Sequence, residues 1–240
     1  MAAEREDADV ETSSEGYARR FAGPVGRFFL ERQAAATLDL RRPFPGASVL
    51  DVGGGHGQVT GPLVESGHAV TVLGSDDSCE ARVREWTGGG RARFVTGDLL
   101  SPPLPDRSFD VVVSYRLLPH VRRWPELVAT LTRLARRAVI VDYPTRRSVN
   151  AAADVLFGLK KGVEGNTRPF AVFSDAEIEA AFAAHGFGPT GRRPQFLFPM
   201  ALHRATNSAG LARGLEAMGA FLGLTRALGS PVVLRLERRG

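Results

Sequence analysis

The chain has 240 residues, 43% of them hydrophobic, and a formal charge of +5 carried almost wholly by arginine, since Lys160 and Lys161 are its only lysines. That length suits one α/β domain with additions and is short for two. The arginines are scattered in separate pairs, which speaks against nucleic acid as a partner; the lone Cys79 excludes an intrachain disulfide and a cysteine metal cage; and no stretch approaches the roughly 20 apolar residues of a membrane helix.

Residues 1–15 are polar and acidic, the reverse of a secretory leader, and are expected to be a disordered lead. With the single cysteine they point to a cytoplasmic setting. Residues 17–40 have helical spacing, with Phe21, Val25, Phe28 and Phe29 on one face, and Gly23 with Pro24 is expected to divide them into two helices. The stretch from Pro43 to Gly46 is a turn. From residue 48 onward the pattern alternates. Strands are expected over 48–52, 69–73, 92–96, 109–114 and 138–143, and helices over 59–66, 78–86 and 124–134. These strands are apolar on both faces, the mark of a parallel sheet covered by helices on both sides.

The last third changes character. A helix over 146–157 leads into a charged loop, and a helix over 175–185 is capped by Ser174 and closed by Gly186. Strands over 194–198 and 231–238 flank a helical stretch over 208–228 and predict an antiparallel hairpin at the sheet edge. In domain terms, residues 16–240 form one unit: a helical cap (16–45), a ligand-binding core (46–145), a lid insert (146–173) and a helical insert (200–230) between the last two strands.

The most informative stretch is SVLDVGGGHGQVT, from Ser48 to Thr60. A strand feeding a glycine-rich turn and then a helix is a ligand site in open α/β sheets, because ligands bind beyond the carboxyl ends of the strands. A dinucleotide asks for G-x-G-x-x-G, and here Gln58 stands at the third glycine. The pattern present is D-x-G-x-G-x-G, from Asp51 to Gly57. An acid at the end of the first strand repels a pyrophosphate and suits a ligand with an ammonium and hydrogen-bond donors.

"VLDVGGGHG" and "FVTGDLLSPPLPDRSFDVVVSYRLLPHV" resemble, in order and spacing, the first-strand motif, third-strand acid and fourth-strand motif of the class I S-adenosylmethionine-dependent methyltransferases. The resemblance covers residues 48–143 well and the remainder in outline. It implies a Rossmann-like, seven-stranded, mostly parallel sheet with helices on both faces, an N-terminal helical cap and helical inserts. It also implies S-adenosylmethionine as cofactor, leaving S-adenosylhomocysteine. By the resemblance, Asp51 orients the ammonium, while Gly53, Gly54, Gly55 and Gly57 border the methionine and ribose. Asp98 and Leu99 meet the adenine, Ser114 and Tyr115 stand beside the sulfonium, and Tyr17 closes over the cofactor. The acid that the family usually carries at the end of the second strand is Gly74 here. Ser75, Asp76 or backbone amides are the candidates to hold the ribose hydroxyls.

The expected activity is in-line methyl transfer to a small, partly apolar molecule, a natural-product or lipid-like intermediate, driven by proximity and orientation. His120, after the fourth strand, is the candidate general base, against a plain role as a turn histidine. Tyr143, Arg168 and His203 are candidate substrate contacts. No metal is expected, because no cysteine cluster or H-x-x-x-H pattern occurs. Gly74 keeps a non-catalytic, cofactor-binding relative in contention, and a nicotinamide-dependent reductase is the remaining alternative. The sequence leaves monomer and homodimer equally open.

Overall fold

A computed structural model describes residues 5–149 and 170–240. Residues 150–157 of the expected helix over 146–157, most of the lid loop, and Arg168 with it, lie outside the described residues.

The chain begins with two short helices, α1 (Ala8–Thr12) and α2 (Glu15–Arg19), followed by the long α3 (Gly23–Arg41). Pro24 sits in the first turn of α3, where its missing N–H costs nothing. Val25, Phe28, Phe29, Gln33, Thr37 and Leu40 form the buried face of α3, at the spacing of a 3.6-residue period. Residues 8–12 thus correct the expected disordered lead. Ala8 and Asp9 are buried in tertiary contacts, which composition alone does not reveal.

Five parallel strands follow: β1 (Ser48–Val52), β2 (Ala69–Gly74), β3 (Ala92–Thr96), β4 (Phe109–Ser114) and β5 (Ala135–Tyr143). They are linked by α4 (Thr60–Glu65), the single-turn α5 (Arg84–Thr87) and α6 (Trp124–Leu134). The helix expected over 78–86 is instead a 3-10 turn at Asp77–Glu80 followed by α5, because Asp76 caps Ser78 with its side chain and starts a tight turn.

The C-terminal third holds α7 (Asp175–Ala183), β6 (Phe187–Phe196), α8 (Met200–Thr206), α9 (Ala209–Phe221), α10 (Leu224–Leu228) and β7 (Ser230–Arg238). Ser174 and Glu177 close a reciprocal capping box at the start of α7, worth about 1 kcal/mol. Strand β6 begins seven residues earlier than its expected start at 194, since its first half holds Gly188, Pro189 and Gly191 and accommodates them with a register shift against β7.

The sheet order is β3-β2-β1-β4-β5-β7-β6. Strand β7 is antiparallel to β5, and β6 to β7, which is the edge hairpin. The result is a seven-stranded, mostly parallel α/β sheet. One face packs on α6 and α7 through Leu131, Leu134, Ile178 and Phe182. The other packs on α3 and α4 through Leu40, Leu63, Val113 and Tyr115. A third cluster joins Phe28 and Phe29 of α3 to Phe196 and Ala212. Sequence order reverses between β1 and β4, so a crevice is expected beyond their carboxyl ends. Among the described residues no helix is long and apolar enough to cross a membrane.

Candidate functional site

The crest beyond β1 is built around Asp51. Its side chain is fully buried; Oδ2 accepts from the Thr60 hydroxyl at 2.9 Å, and Oδ1 has no partner. Burial pushes its pKa up to about 7. Gly53 and Gly57 bracket the following 3-10 turn, Gly54–His56, and both adopt φ of +71°, a conformation glycine enters without strain. Gly54 is glycine for a different reason: a Cβ there would collide with the Asp51 carboxyl. His56 is held neutral, its pKa pushed down to about 4 chiefly by burial. Its Nδ1 accepts from Gln58 N at 3.0 Å, so Nε2 carries the proton and faces the Tyr115 carbonyl.

At the end of β2 no side chain fits at position 74. A Cβ on Gly74 would come within 2.6 Å of Phe94 and 2.9 Å of Cys79. Asp76 is exposed and caps Ser78 N at 2.9 Å. The carboxylate that does reach this point belongs to Asp9 of α1, whose Oδ2 accepts from Ser75 N at 2.8 Å. Ser75 is buried and its hydroxyl has no partner. Beyond β3, Asp98 is half-buried and accepts from Leu100 N at 3.0 Å, while Leu99 is fully buried beside Leu73 and Leu117.

At the end of β4 the Ser114 hydroxyl donates to Val52 O at 3.1 Å and ties β4 to β1. Tyr115 turns into the layer beneath α3, where its hydroxyl meets that of Thr37 at 2.6 Å. Burial drives its pKa strongly upward. The expectation that Tyr115 faces the reacting atoms is therefore corrected: side chains alternate across a strand, and this one falls on the core face. Arg116 follows with φ of +57°. Its backbone N–H donates to Asp142 Oδ1 at 2.7 Å, and its guanidinium donates to Gln33 at 2.9 Å and lies 5.7 Å from the Phe21 ring. Tyr17, nearly buried, senses the charges of both Arg116 and Asp142. Neither Arg116 nor Asp9 emerged from sequence reasoning. An arginine directly after a strand-end "SY" was the signal available for the first.

Residues 50–141 match the family described as methyltransferase domain. Over that segment the chain is similar to a methyltransferase domain. Two curated relatives match in sequence. A ubiquinone biosynthesis O-methyltransferase of Paramagnetospirillum magneticum is 34% identical over 147 residues, covering 56% of this chain and 57% of the relative. A nocamycin O-methyltransferase of Saccharothrix syringae is 36% identical over 121 residues, covering 47% and 41%. The chain thus spans about half the length of the curated relatives it matches. In fold it is similar to a magnesium protoporphyrin IX methyltransferase of Synechocystis solved with S-adenosylhomocysteine, with a TM-score of 0.67, 16% identity, and coverage of 96% of this chain and 98% of that one.

The expected acceptor contacts of the methyltransferase domain fall differently. Tyr143 is fully buried, and its hydroxyl donates to Asp175 at 2.9 Å, so it anchors α7 to β5 and turns no atom to a cleft. His203 is equally buried. Its Nε2 meets Glu216 at 2.9 Å, and the same carboxylate accepts from Leu197 N and Phe198 N. It fastens the helical insert to the end of β6, which corrects the expectation of a substrate contact. His120 ends a 3-10 turn after β4, half-buried, with its ring 5.5 Å from Phe170. Beside the glycine turn lies a groove of about 360 Å³ lined by Tyr17, Phe21, Leu30, Gly57 and Trp86 among others.

Proposed function

We propose that the protein transfers a methyl group from S-adenosylmethionine to an oxygen of a small, partly apolar molecule. The observation that carries this reading is Asp51: a buried carboxylate with an unpartnered oxygen, set beside a glycine-rich turn at the switch point of the sheet. A lone cationic amine is the natural partner for such an oxygen, and a diphosphate is repelled by it. The unpartnered Ser75 hydroxyl adds a further polar contact on the same crest. The donor set therefore fits S-adenosylmethionine better than a dinucleotide.

S-adenosylmethionine, when bound, supplies a methyl group already activated on a sulfonium. Asp51 would hold its ammonium, Gly53 and Gly55 would leave the crest clear of side chains, and Asp98 would accept from the adenine amine. Tyr17 and Phe21 would exclude water. The chain's remaining task is to hold the acceptor about 3–3.5 Å from the methyl carbon. We assign to His120 the removal of a proton from an acceptor that arrives protonated. The mixed lining of the groove, with Tyr17, Phe21, Leu30 and Trp86 beside Arg82 and Glu85, supports a mid-sized, partly apolar acceptor. The names of the two curated relatives, both O-methyltransferases, support an oxygen on a small molecule.

Calorimetric titration tests the reading. Heat is expected with S-adenosylhomocysteine and none with NADH. Silence with both S-adenosyl compounds overturns it, and a response to NADH alone favours the reductase.

A further inference from the structure

The N-terminal helix has no business on the crest unless something holds it there. Helix α1 has only five residues, too short to persist unaided. Yet Ala8 is 1% exposed and Asp9 0%. Ala8 packs in the cluster that contains Leu73, Leu99 and Leu117. Asp9 takes the Ser75 N–H, and Arg5 donates to the Ser75 carbonyl, so one short segment clasps both backbone groups of the residue after β2. The Asp9 Cβ lies 3.5 Å from where a Cβ of Gly53 would stand, and the Ser13 hydroxyl sits against Gly55.

Resting on the cofactor reading above, we propose that residues 5–13 are a built-in competitor that fills the S-adenosylmethionine crest and must withdraw before the cofactor enters. The contacts overlap: Gly53, Gly55 and Ser75, each assigned to the cofactor, are touched by this segment, and Leu99 belongs to the same apolar cluster as Ala8.

The clasp is also incompletely satisfied. Asp9 Oδ1, Ser13 Oγ, Ser75 Oγ and Asp51 Oδ1 are all buried without a partner. Buried polar atoms without partners weaken the arrangement that buries them. Withdrawal of the helix returns Asp9 and Ser13 to water, and leaves Ser75 and Asp51 for a ligand that carries hydroxyls and an ammonium.

The test uses the full chain. Ala8→Glu puts a charge between leucines that cannot receive it, which expels α1 and leaves every assigned cofactor contact intact. S-adenosylhomocysteine is expected to bind this variant at least threefold more tightly than the natural chain by calorimetry. On the natural chain, trypsin is expected to cut after Arg5 faster when S-adenosylhomocysteine is present. Should Ala8→Glu fail to fold by circular dichroism, the trypsin measurement decides alone. Equal or weaker binding by a folded variant, or protection of Arg5 by the ligand, overturns the proposal and makes α1 part of the bound site. If neither chain gives any heat, the cofactor reading itself is what fails, and this proposal falls with it.

Discussion

Arg116 at the end of β4 donates its backbone N–H to Asp142 at the end of β5, and its guanidinium lies 3.5 Å from the other oxygen of the same carboxylate. The pair joins two strand ends on the ligand side of the sheet, with Asp142 2% exposed. Burial raises the Asp142 pKa even against the adjacent guanidinium. Removing one partner of such a pair strands the other. Arg116→Ala is expected to cost about 3 kcal/mol in urea unfolding. Because Arg116 sits at positive φ, Arg116→Gly is expected to cost about 1 kcal/mol less than Arg116→Ala. An alanine variant as stable as the glycine one would show that the backbone there is unstrained.

The pH response of Asp51 runs in opposite senses for folding and for binding. Its folded pKa, about 7, stands above the ordinary 3.8, so the fold binds a proton that the unfolded chain releases. Its contribution to stability is therefore full below pH 3.8 and is lost as the pH rises through about 7. On the role proposed for Asp51, ligand affinity is expected to behave inversely, since an ammonium needs the ionised carboxylate. S-adenosylhomocysteine binding is expected to strengthen between pH 6 and 8, and Asp51→Asn to flatten that rise while weakening binding. A rise that persists in Asp51→Asn would assign it to another group.

Gly74 provides a prediction against intuition. Installing the acid that the family usually carries, Gly74→Asp, should not strengthen cofactor binding. The new side chain meets Phe94 and Cys79 at less than 3 Å, and overpacking of this kind costs about 1–3 kcal/mol. Thermal melts and titrations on the variant check both halves. Tighter binding without loss of stability would mean that Phe94 yields freely.

Asp98→Ala is expected to lower affinity for S-adenosylhomocysteine at least tenfold, about 1.4 kcal/mol, with little change in the urea midpoint, because Asp98 is half-buried and its one hydrogen bond caps a local turn. Undiminished binding would remove the adenine assignment.

His120→Ala is expected to slow turnover most at the pH where the acceptor is still protonated, with cofactor affinity unchanged. Turnover profiles across pH, set beside the natural chain, test this. A superimposable profile would leave His120 a turn residue.

Local pattern alone determined the alternation of β1 to β5 with helices, the glycine turn after Asp51, and the edge hairpin, because period-2 and period-3.6 burial and glycine punctuation are written along the chain. Only tertiary structure decided what fills the end of β2. Whether a side chain fits at Gly74 depends on Phe94 and Cys79, brought there by other elements. Tyr115, Tyr143 and His203 tell the same story: each has the chemistry of a site residue, and each is turned into the core by Thr37, Asp175 or Glu216 at 37, 175 and 216. The burial of Asp9 was likewise invisible, since an acidic stretch near a terminus reads as solvated until the strand end that receives it, 66 residues away, is folded beneath it. Composition states what a residue could do; the partners that the fold delivers decide what it does.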